Sequence, residues 1–560
     1  MAQIENKISL DPRISISDYP TQFTEVGASQ VQYRHIPATT ASPNNFQWNG
    51  IITPQRVLIG RTLIVEYTAT VTIPDAGAHP CVMAGYSAAE TAAEGVMDGI
   101  INDGTLPINC AFRSNPLHRV CTTLDLQLNN SRFSVNPQQY MNTIGPYVYT
   151  KKQRKELASL FPSMLDKCPT LGSDAVQTAL TGSNNPLSYY CNSDGTSRAS
   201  FYPVSYTLAN AVATYVFKIY EPLLISPLSA GLVNEVALGN IQSFSINMLF
   251  DTSNLLQNML EINGDPAVAI VTSVGLSSPT LHVEYFTVNP DIVSIPAVCT
   301  YTYENLIPAV SSCLKPTAVE LTATSNSLKL TTMPKLVYGS INPQAPARAV
   351  NIADTGATIT GLKVVWGSQG SSFLAEMNSL DIWRMTVRNT GSDIPYAEWV
   401  LAGCGFCFDP VRDFGANFES GYGGESGSSL MFQMDVKYSG SNYTRCGAEI
   451  PDVLWYLNVL AVNQGNVQIS ENMALPNLAV VSKNEILVAL EDGAVSTEVI
   501  QPTVEGGSLF SGLKNVFHRA HHLVKQGANV LQSEPAQAAL KYLSGSGLTG
   551  GRIVQTNRKR

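Results

Sequence analysis

Apolar side chains in this chain recur mostly at every second position, the period of a strand with one buried face. In residues 62–73, Leu63, Val65, Tyr67, Ala69, Val71 and Ile73 fall on one side. Thr62, Glu66, Thr68, Thr70 and Thr72 fall on the other, and Ile64 is the exception. Leu124, Leu126 and Leu128 alternate with Asp125 and Gln127, Asn129-Asn130-Ser131 supplies a turn, and Phe133 and Val135 resume, which predicts a hairpin. Tyr215, Phe217 and Ile219 alternate until Pro222, and Phe244, Ile246, Met248 and Phe250, then Leu281, Val283 and Tyr285, follow the same rule. In the second half the pattern predicts strands at Leu328 and Leu330, at Trp383, Met385 and Val387, and at Phe432, Met434 and Val436. Leu454, Tyr456, Asn458, Leu460 and Val462 are predicted to form one face of a late strand. In the body, helical spacing is confined to residues 151–161 and to one or two turns at 254–260. Strands rich in Thr, Val and Tyr, separated by turn residues, indicate β-sandwiches.

Two long polar stretches interrupt the strands, one at 162–210 and one at 389–429, the latter with Gly421-Tyr422-Gly423-Gly424. Both are expected to be loops. Their recurrence, one in each half, suggests a duplicated sandwich. Pro296, Pro308 and Pro316 punctuate a boundary between the halves, and Pro502 with Gly506-Gly507 marks a second. The expected division is 1–300, 301–500 and 501–560.

Composition changes the picture in two ways. Only 14% of the 560 residues are charged, against about 25% in a typical soluble domain. Such a surface relies on neutral polar side chains or on neighbouring subunits that cover it. The net charge of −9 argues against a protein that coats nucleic acid over its whole surface. That charge is also uneven: residues 508–560 hold eight Lys and Arg against one Glu, a net of +7, while residues 1–507 carry −16. The first residues lack a basic-then-apolar leader and no run of 18 apolar residues occurs, so neither a secretion signal nor a membrane-spanning helix is expected. The ten scattered cysteines are expected to be free thiols.

Candidate chemistry is thin. His35, His79, His118 and His282 stand apart in the sequence and read as ordinary surface or core residues. Cys404-Gly405-Phe406-Cys407 is one Cys-x-x-Cys without the second pair a structural zinc needs, so no metal is expected there. The glycine-rich stretch at 421–427 lacks the Gly-Lys-Ser/Thr ending of a phosphate loop. Trp383, Trp399 and Trp455 suit either sugar stacking or core packing, and Trp383 and Trp455 are predicted inside strands, which favours the core. No catalytic residues and no cofactor are expected.

The basic tail has the sharpest local features. Leu509, Phe510, Leu513, Val516, Phe517, Leu523 and Val524 recur at helical spacing after a candidate N-cap, Ser508. Lys514, Arg519, His521, His522 and Lys525 lie mostly on the remaining surface. A helix of this kind docks on its own body or a partner, or lies in a membrane interface. Further on, Leu543-Ser544-Gly545-Ser546 precedes Gly547, and Leu548-Thr549-Gly550-Gly551 precedes Arg552. By themselves these are flexible linker sequence.

The order of several signposts resembles a known family. Pro12-Arg13, Val31-Gln32-Tyr33, Asn45-Phe46-Gln47-Trp48, the strand at 58–73, the hairpin at 124–135, Tyr220-Glu221-Pro222, the strand at 241–250, Ser482-Lys483-Asn484-Glu485 and Gly506-Gly507 before Phe510 follow one another as in the double jelly-roll major capsid proteins of Sputnik-like virophages and Polinton-like viruses. The resemblance implies an all-β fold of two tandem eight-stranded jelly rolls with a short helical basic C-terminal tail. It implies a structural, non-enzymatic protein of the virion. Three chains would form a pseudo-hexagonal capsomer, packed with neighbouring capsomers, penton and minor capsid proteins into an icosahedral shell. A viral cysteine protease is a further implied partner, with cuts after Ser546 or Gly551, so that Gly547 or Arg552 would begin the released piece. The tail helix resembles the start of adenoviral membrane-lytic minor capsid proteins, which would bring it to the genome or an inner membrane, with plain assembly as the competing role. A carbohydrate-binding or adhesive β-sandwich of the fibre or lectin type is the alternative from another class, and an enzyme on a β scaffold is a weaker one.

Overall fold

The threonine-and-valine run at 62–73 forms the centre of a sheet. In the computed structural model every one of Leu63, Val65, Tyr67, Ala69, Val71 and Ile73 is buried, and the threonines between them face outward. The structure describes residues 28–477, with interruptions of which the longest are 84–107, 164–203 and 415–429.

The first roll is built from β1 (Ala28–Pro37), β2 (Asn45–Ile52), β3 (Ile64–Pro74), β4 (Cys121–Leu128), β5 (Ser131–Val135), β6 (Val212–Pro222), β7 (Ser243–Phe250) and β8 (Ser273–Val288). They form two antiparallel sheets, ordered β1-β8-β3-β6 and β2-β7-β4-β5. The second roll uses β9 (Val298–Cys313), β10 (Leu321–Thr324), β11 (Leu336–Pro343), β12 (Thr358–Gly367), β13 (Phe373–Asn378), β14 (Phe406–Phe408), β15 (Leu430–Ser439) and β16 (Trp455–Ser470). Its sheets run β9-β16-β11-β14 and β10-β15-β12-β13, again antiparallel. Adding eight to each label of the first roll reproduces the second. The same eight-stranded jelly-roll wiring therefore occurs twice in one chain.

Helices sit at equivalent places in the two rolls. The connection from β5 to β6 carries α2 (Pro137–Val148) and α3 (Lys151–Leu157), after a short α1 (Pro116–Val120) ahead of β4. The connection from β13 to β14 carries α4 (Ser379–Thr390) and α5 (Tyr396–Ala402).

Each roll has its own apolar core, filled from the inward faces of its two sheets. One ribbon serves both. β9 and β16 pair without a break from Val298↔Ser470 to Cys313↔Trp455. Tyr301, Tyr303, Val467 and Ile469 pack in the first core, and Leu306, Ile307, Leu457 and Val459 pack in the second. The proline-marked stretch at 296–316 is thus largely a continuous strand, with Pro308 inside it.

Most of the alternating runs fall as the sequence predicts. The hairpin at 124–135 turns at Asn129, whose φ of +49° is left-handed. Two expectations are overturned. Trp383, Met385 and Val387 are not a strand: they lie in α4. The Asn378 side chain accepts the backbone N–H of Leu380 and of Asp381, both at 3.0 Å, and starts a helix that buries Ile382, Met385, Thr386 and Asn389 at helical spacing. Of the stretch at 254–260, Leu255 does lie in a 3-10 turn, and the chain then enters a strand, Met259–Glu261, paired with Ile108–Phe112. The stretch at 389–429 is not an outward loop along its first half, because α5 and β14 bury Trp399, Phe406, Cys407 and Phe408. In β16, Tyr456, Asn458, Leu460 and Val462 share one face as expected, and the face turned to the opposite sheet carries Trp455, Leu457 and Val459. Leu460 and Val462 are also buried, on the outer face, and Leu454 is exposed. That outer face has a cover of its own.

Candidate assembly site

The cover is α2. It leaves the first roll after β5 and lies across β11 and β16 of the second. Because paired residues of antiparallel strands share a face, Tyr338, Ser340, Asn458 and Leu460 form one surface, and α2 rests on it. Thr143 Oγ1 meets Ser340 Oγ at 2.9 Å inside the junction. The Tyr147 ring lies 6.1 Å from that of Tyr338, and its hydroxyl donates to the Gly405 carbonyl and accepts from Trp399 Nε1. Burial pushes the Tyr147 phenol well above its ordinary pKa, so it stays a neutral donor. Of α2, only Gln139 and Asn142 are exposed. The helix is held between two rolls.

A buried polar hub fixes the same junction from the first roll. Period two continues past Ile219 and places Glu221 on the core face of β6, fully buried. A bare carboxylate there would be prohibitive, and this one is satisfied. It accepts from Leu117 N at 2.8 Å, His118 N at 3.2 Å, Tyr67 Oη at 3.2 Å and His118 Nδ1 at 2.6 Å. The backbone donors come from the first turn of α1. His118 Nε2 accepts the Leu224 N–H at 3.2 Å, which assigns the ring proton to Nδ1. Burial first, then the Glu221 charge, pushes the Tyr67 phenol far up. Tyr140 Oη donates to the Leu224 carbonyl, so the hub is tied to α2. Arg113 and Arg119 both reach Asp354 of the second roll, at 2.6 and 2.9 Å. Asn129 Nδ2, at the hairpin turn, donates to the Ser470 carbonyl at the end of β16.

These contacts make the two rolls one body, and the same organisation occurs in known proteins. The Sputnik virophage major capsid protein first-domain family matches residues 2–286, just over half of the chain and the span of the first roll. The chain belongs to that family. Sputnik virophage capsid protein V20 is 22% identical over 93% of this chain and 87% of its own. A chain of the Sputnik virophage cryo-EM structure superposes with a TM-score of 0.68 at 18% identity, over 92% of this chain and 98% of that one. The mavirus major capsid protein crystal structure gives 0.58 at 15% identity, over 87% and 98%. The protein is a virophage-type double jelly-roll major capsid protein, a structural component of a virion.

In this capsid protein the remaining sequence candidates fall into the core or outside the described residues. Trp399 and Trp455 are buried, and Trp383 is half-buried with Nε1 on the Ile394 carbonyl at 3.0 Å, so none forms an open sugar platform. Cys404 and Cys407 span the turn from α5 into β14. Gly403 ends α5 at φ +58°, and a Cβ on Gly405 would overlap the backbone of Gly339. Both thiols are buried. Burial pushes Cys404 up to about 12 and Cys407 well above the ordinary value, so both stay protonated at neutral pH. Among the described residues no group of three or more His, Cys, Asp or Glu is placed to hold a metal. His118 and His282 are not isolated as the sequence suggested: His118 is bound to Glu221, and His282 meets Glu66 at 2.8 Å and lies against the His35 ring, centroids 4.2 Å apart and tilted by 41°. The tail candidates, Leu509, Phe510, Leu513, Val516, Phe517, Leu523 and Val524, and the cleavage candidates Ser546, Gly547, Gly551 and Arg552, lie outside the described residues. The residues that the sequence reading missed are α2 and the Glu221 hub. A glutamate at an inward position of an apolar strand was the available signal.

Proposed function

We propose that three copies of this chain join into a homotrimeric, pseudo-hexagonal capsomer and that such capsomers tile an icosahedral shell with penton and minor capsid proteins. The role is structural, with no catalytic step. The observation that carries the reading is the repetition of one wiring in two rolls locked side by side, since three such pairs present six similar units around an axis. The low charge fraction supports it, because much of the surface is then covered by neighbours. Negative-stain microscopy of the purified protein tests it: six-lobed particles are expected, and isolated two-lobed particles would contradict it.

The division proposed is a first roll with its N-terminal arm at 1–300, a second roll at 301–500 and a basic tail at 501–560. The tail, at +7 against a body at −16, is drawn to the acidic inner wall or the genome, a contact that salt would weaken. The helix at 508–531 acts there in assembly or against an inner membrane. A viral cysteine protease then trims the chain after Ser546 or Gly551. The intact mass of the chain from mature particles decides this, since a mass that includes Arg560 means no cut.

A further inference from the structure

Two histidines far apart in the sequence become direct neighbours in the first roll. β1 and β8 pair antiparallel with His35 opposite His282, so both side chains leave the same face of the sheet. Their ring centroids lie 4.2 Å apart, with the planes tilted by 41°. Charged together, two such rings would repel. Neutral, each carries one lone pair.

The surroundings decide which nitrogen of His282 holds the proton. Glu66 Oε2 lies 2.8 Å from His282 Nε2, and Glu66 Oε1 lies 2.7 Å from Lys218 Nζ. An ionised carboxylate only accepts, so Nε2 is the protonated nitrogen and Nδ1 keeps its lone pair. Tyr220 packs edge-on against the His282 ring at 5.8 Å and limits its rotation. Glu284 follows two residues after His282 on the same face, opposite Tyr33. On this face the carboxylates of Glu66 and Glu284 outnumber the ammonium of Lys218, so the charge beside the two rings is negative. A carboxylate behind an imidazole whose other nitrogen is unprotonated is the arrangement that orients metal-ligating histidines and raises their basicity.

We propose that His35 and His282 together hold a divalent transition-metal ion of the zinc, nickel or copper class, with Glu66 as the positioning residue. Imidazole suits these ions, whereas calcium and magnesium take oxygen ligands. Two imidazoles bound to one ion at about 2.0–2.1 Å have centroids about 4.5–5 Å apart, so these rings need to part by less than about 1 Å. Among the described residues no third His, Cys, Asp or Glu completes the set, so water fills the remaining positions and the ion exchanges. β1 is the edge strand of its sheet, and an ion shared with β8 staples that edge to its neighbour. The site depends on the pairing of the rings and on Glu66, and it stands whether or not a further segment lies over the face.

The test titrates zinc chloride into the chelator-stripped full chain by calorimetry. His518, His521 and His522 in the tail offer a competing set of imidazoles, so the readout is the difference between the unaltered protein and its variants. His35→Ala and His282→Gln are each expected to lose one zinc equivalent per chain, and a variant with the three tail histidines changed to Ala is expected to keep it. Glu66→Gln is expected to keep the equivalent but bind it about tenfold more weakly, and an unchanged affinity would overturn its positioning role. Copper(II) on the tail-substituted chain gives a second readout: electron paramagnetic resonance is expected to show nitrogen couplings from two imidazoles, lost when either His35 or His282 is also replaced. Urea midpoints without metal check that the variants fold, and His35→Gln replaces His35→Ala should the latter unfold early. Equal zinc stoichiometry and affinity in the unaltered and His35-substituted chains would overturn the inference, as would a tail-substituted chain that binds no zinc.

Discussion

The outer face of the second roll's β9-β16-β11-β14 sheet is sealed by a helix from the first roll, and the equivalent face of the first roll carries threonines, histidines and a salt-bridged glutamate. The wiring is the same and the surface chemistry is opposite. Where the cover comes from the same chain, the face is tyrosine, serine, leucine and valine, fully desolvated. On the first roll's face the strand keeps period-two alternation and a polar exterior, with no cover among the described residues. The difference separates a face sealed within the chain from one that keeps polar side chains outward.

That comparison breaks most visibly with one substitution made twice. Ser340→Arg forces a charge under α2 and is expected to destabilise the fold by about 4 kcal/mol or more. Thr70→Arg, on the open face, is expected to move stability by no more than about 0.5 kcal/mol. Urea denaturation of both variants checks this, and equal effects would mean that the faces are not differently covered. Next in size is the hub. Glu221→Ala strands His118 Nδ1–H and two α1 backbone N–H groups in the core, at an expected cost of about 3–5 kcal/mol, with Glu221→Gln milder because it keeps an acceptor. Loss in the same denaturation assay for both should follow that order.

Tyr147→Phe removes one hydroxyl that the junction satisfies twice, at an expected cost of about 1–2 kcal/mol, whereas Tyr33→Phe on the open face should cost almost nothing. The smallest effect belongs to the open face itself. Burial raises the pKa of Glu66, but the hydrogen bonds and charges of Lys218 and His282 outweigh it and hold the carboxyl below its ordinary value. A depressed pKa contributes stability that is fully present above the unfolded value and is lost as pH falls through the folded one. Lys218→Ala is therefore expected to cost about 0.5–1 kcal/mol at pH 7, a difference that vanishes when melts are repeated in acid below the carboxylate range.

Much of the fold was legible because buried strands advertise themselves: the inward sets in β3, β6, β7 and β15 are visible as alternation before any coordinates. The Trp383-Met385-Val387 run misled because a three-position sample cannot separate period 2 from period 3.6, and Asn378 as a cap decides the matter. In β16 the shared face was legible but not which side turns inward, because its centre is buried on both faces. The junction was hardest to see. α2 mixes apolar residues with Gln138, Gln139, Asn142 and Thr143 over only twelve positions, with Pro146 inside it, and its partners Ser340 and Leu460 lie hundreds of positions away. Glu221 alone gave a local clue.

The measurement that tests the account most directly is the solution mass of the purified chain by light scattering at micromolar concentration. Three chains of 60.3 kDa, about 180 kDa in all, are expected. A stable 60.3 kDa monomer would contradict the account, since two rolls rather than six would then make up the particle.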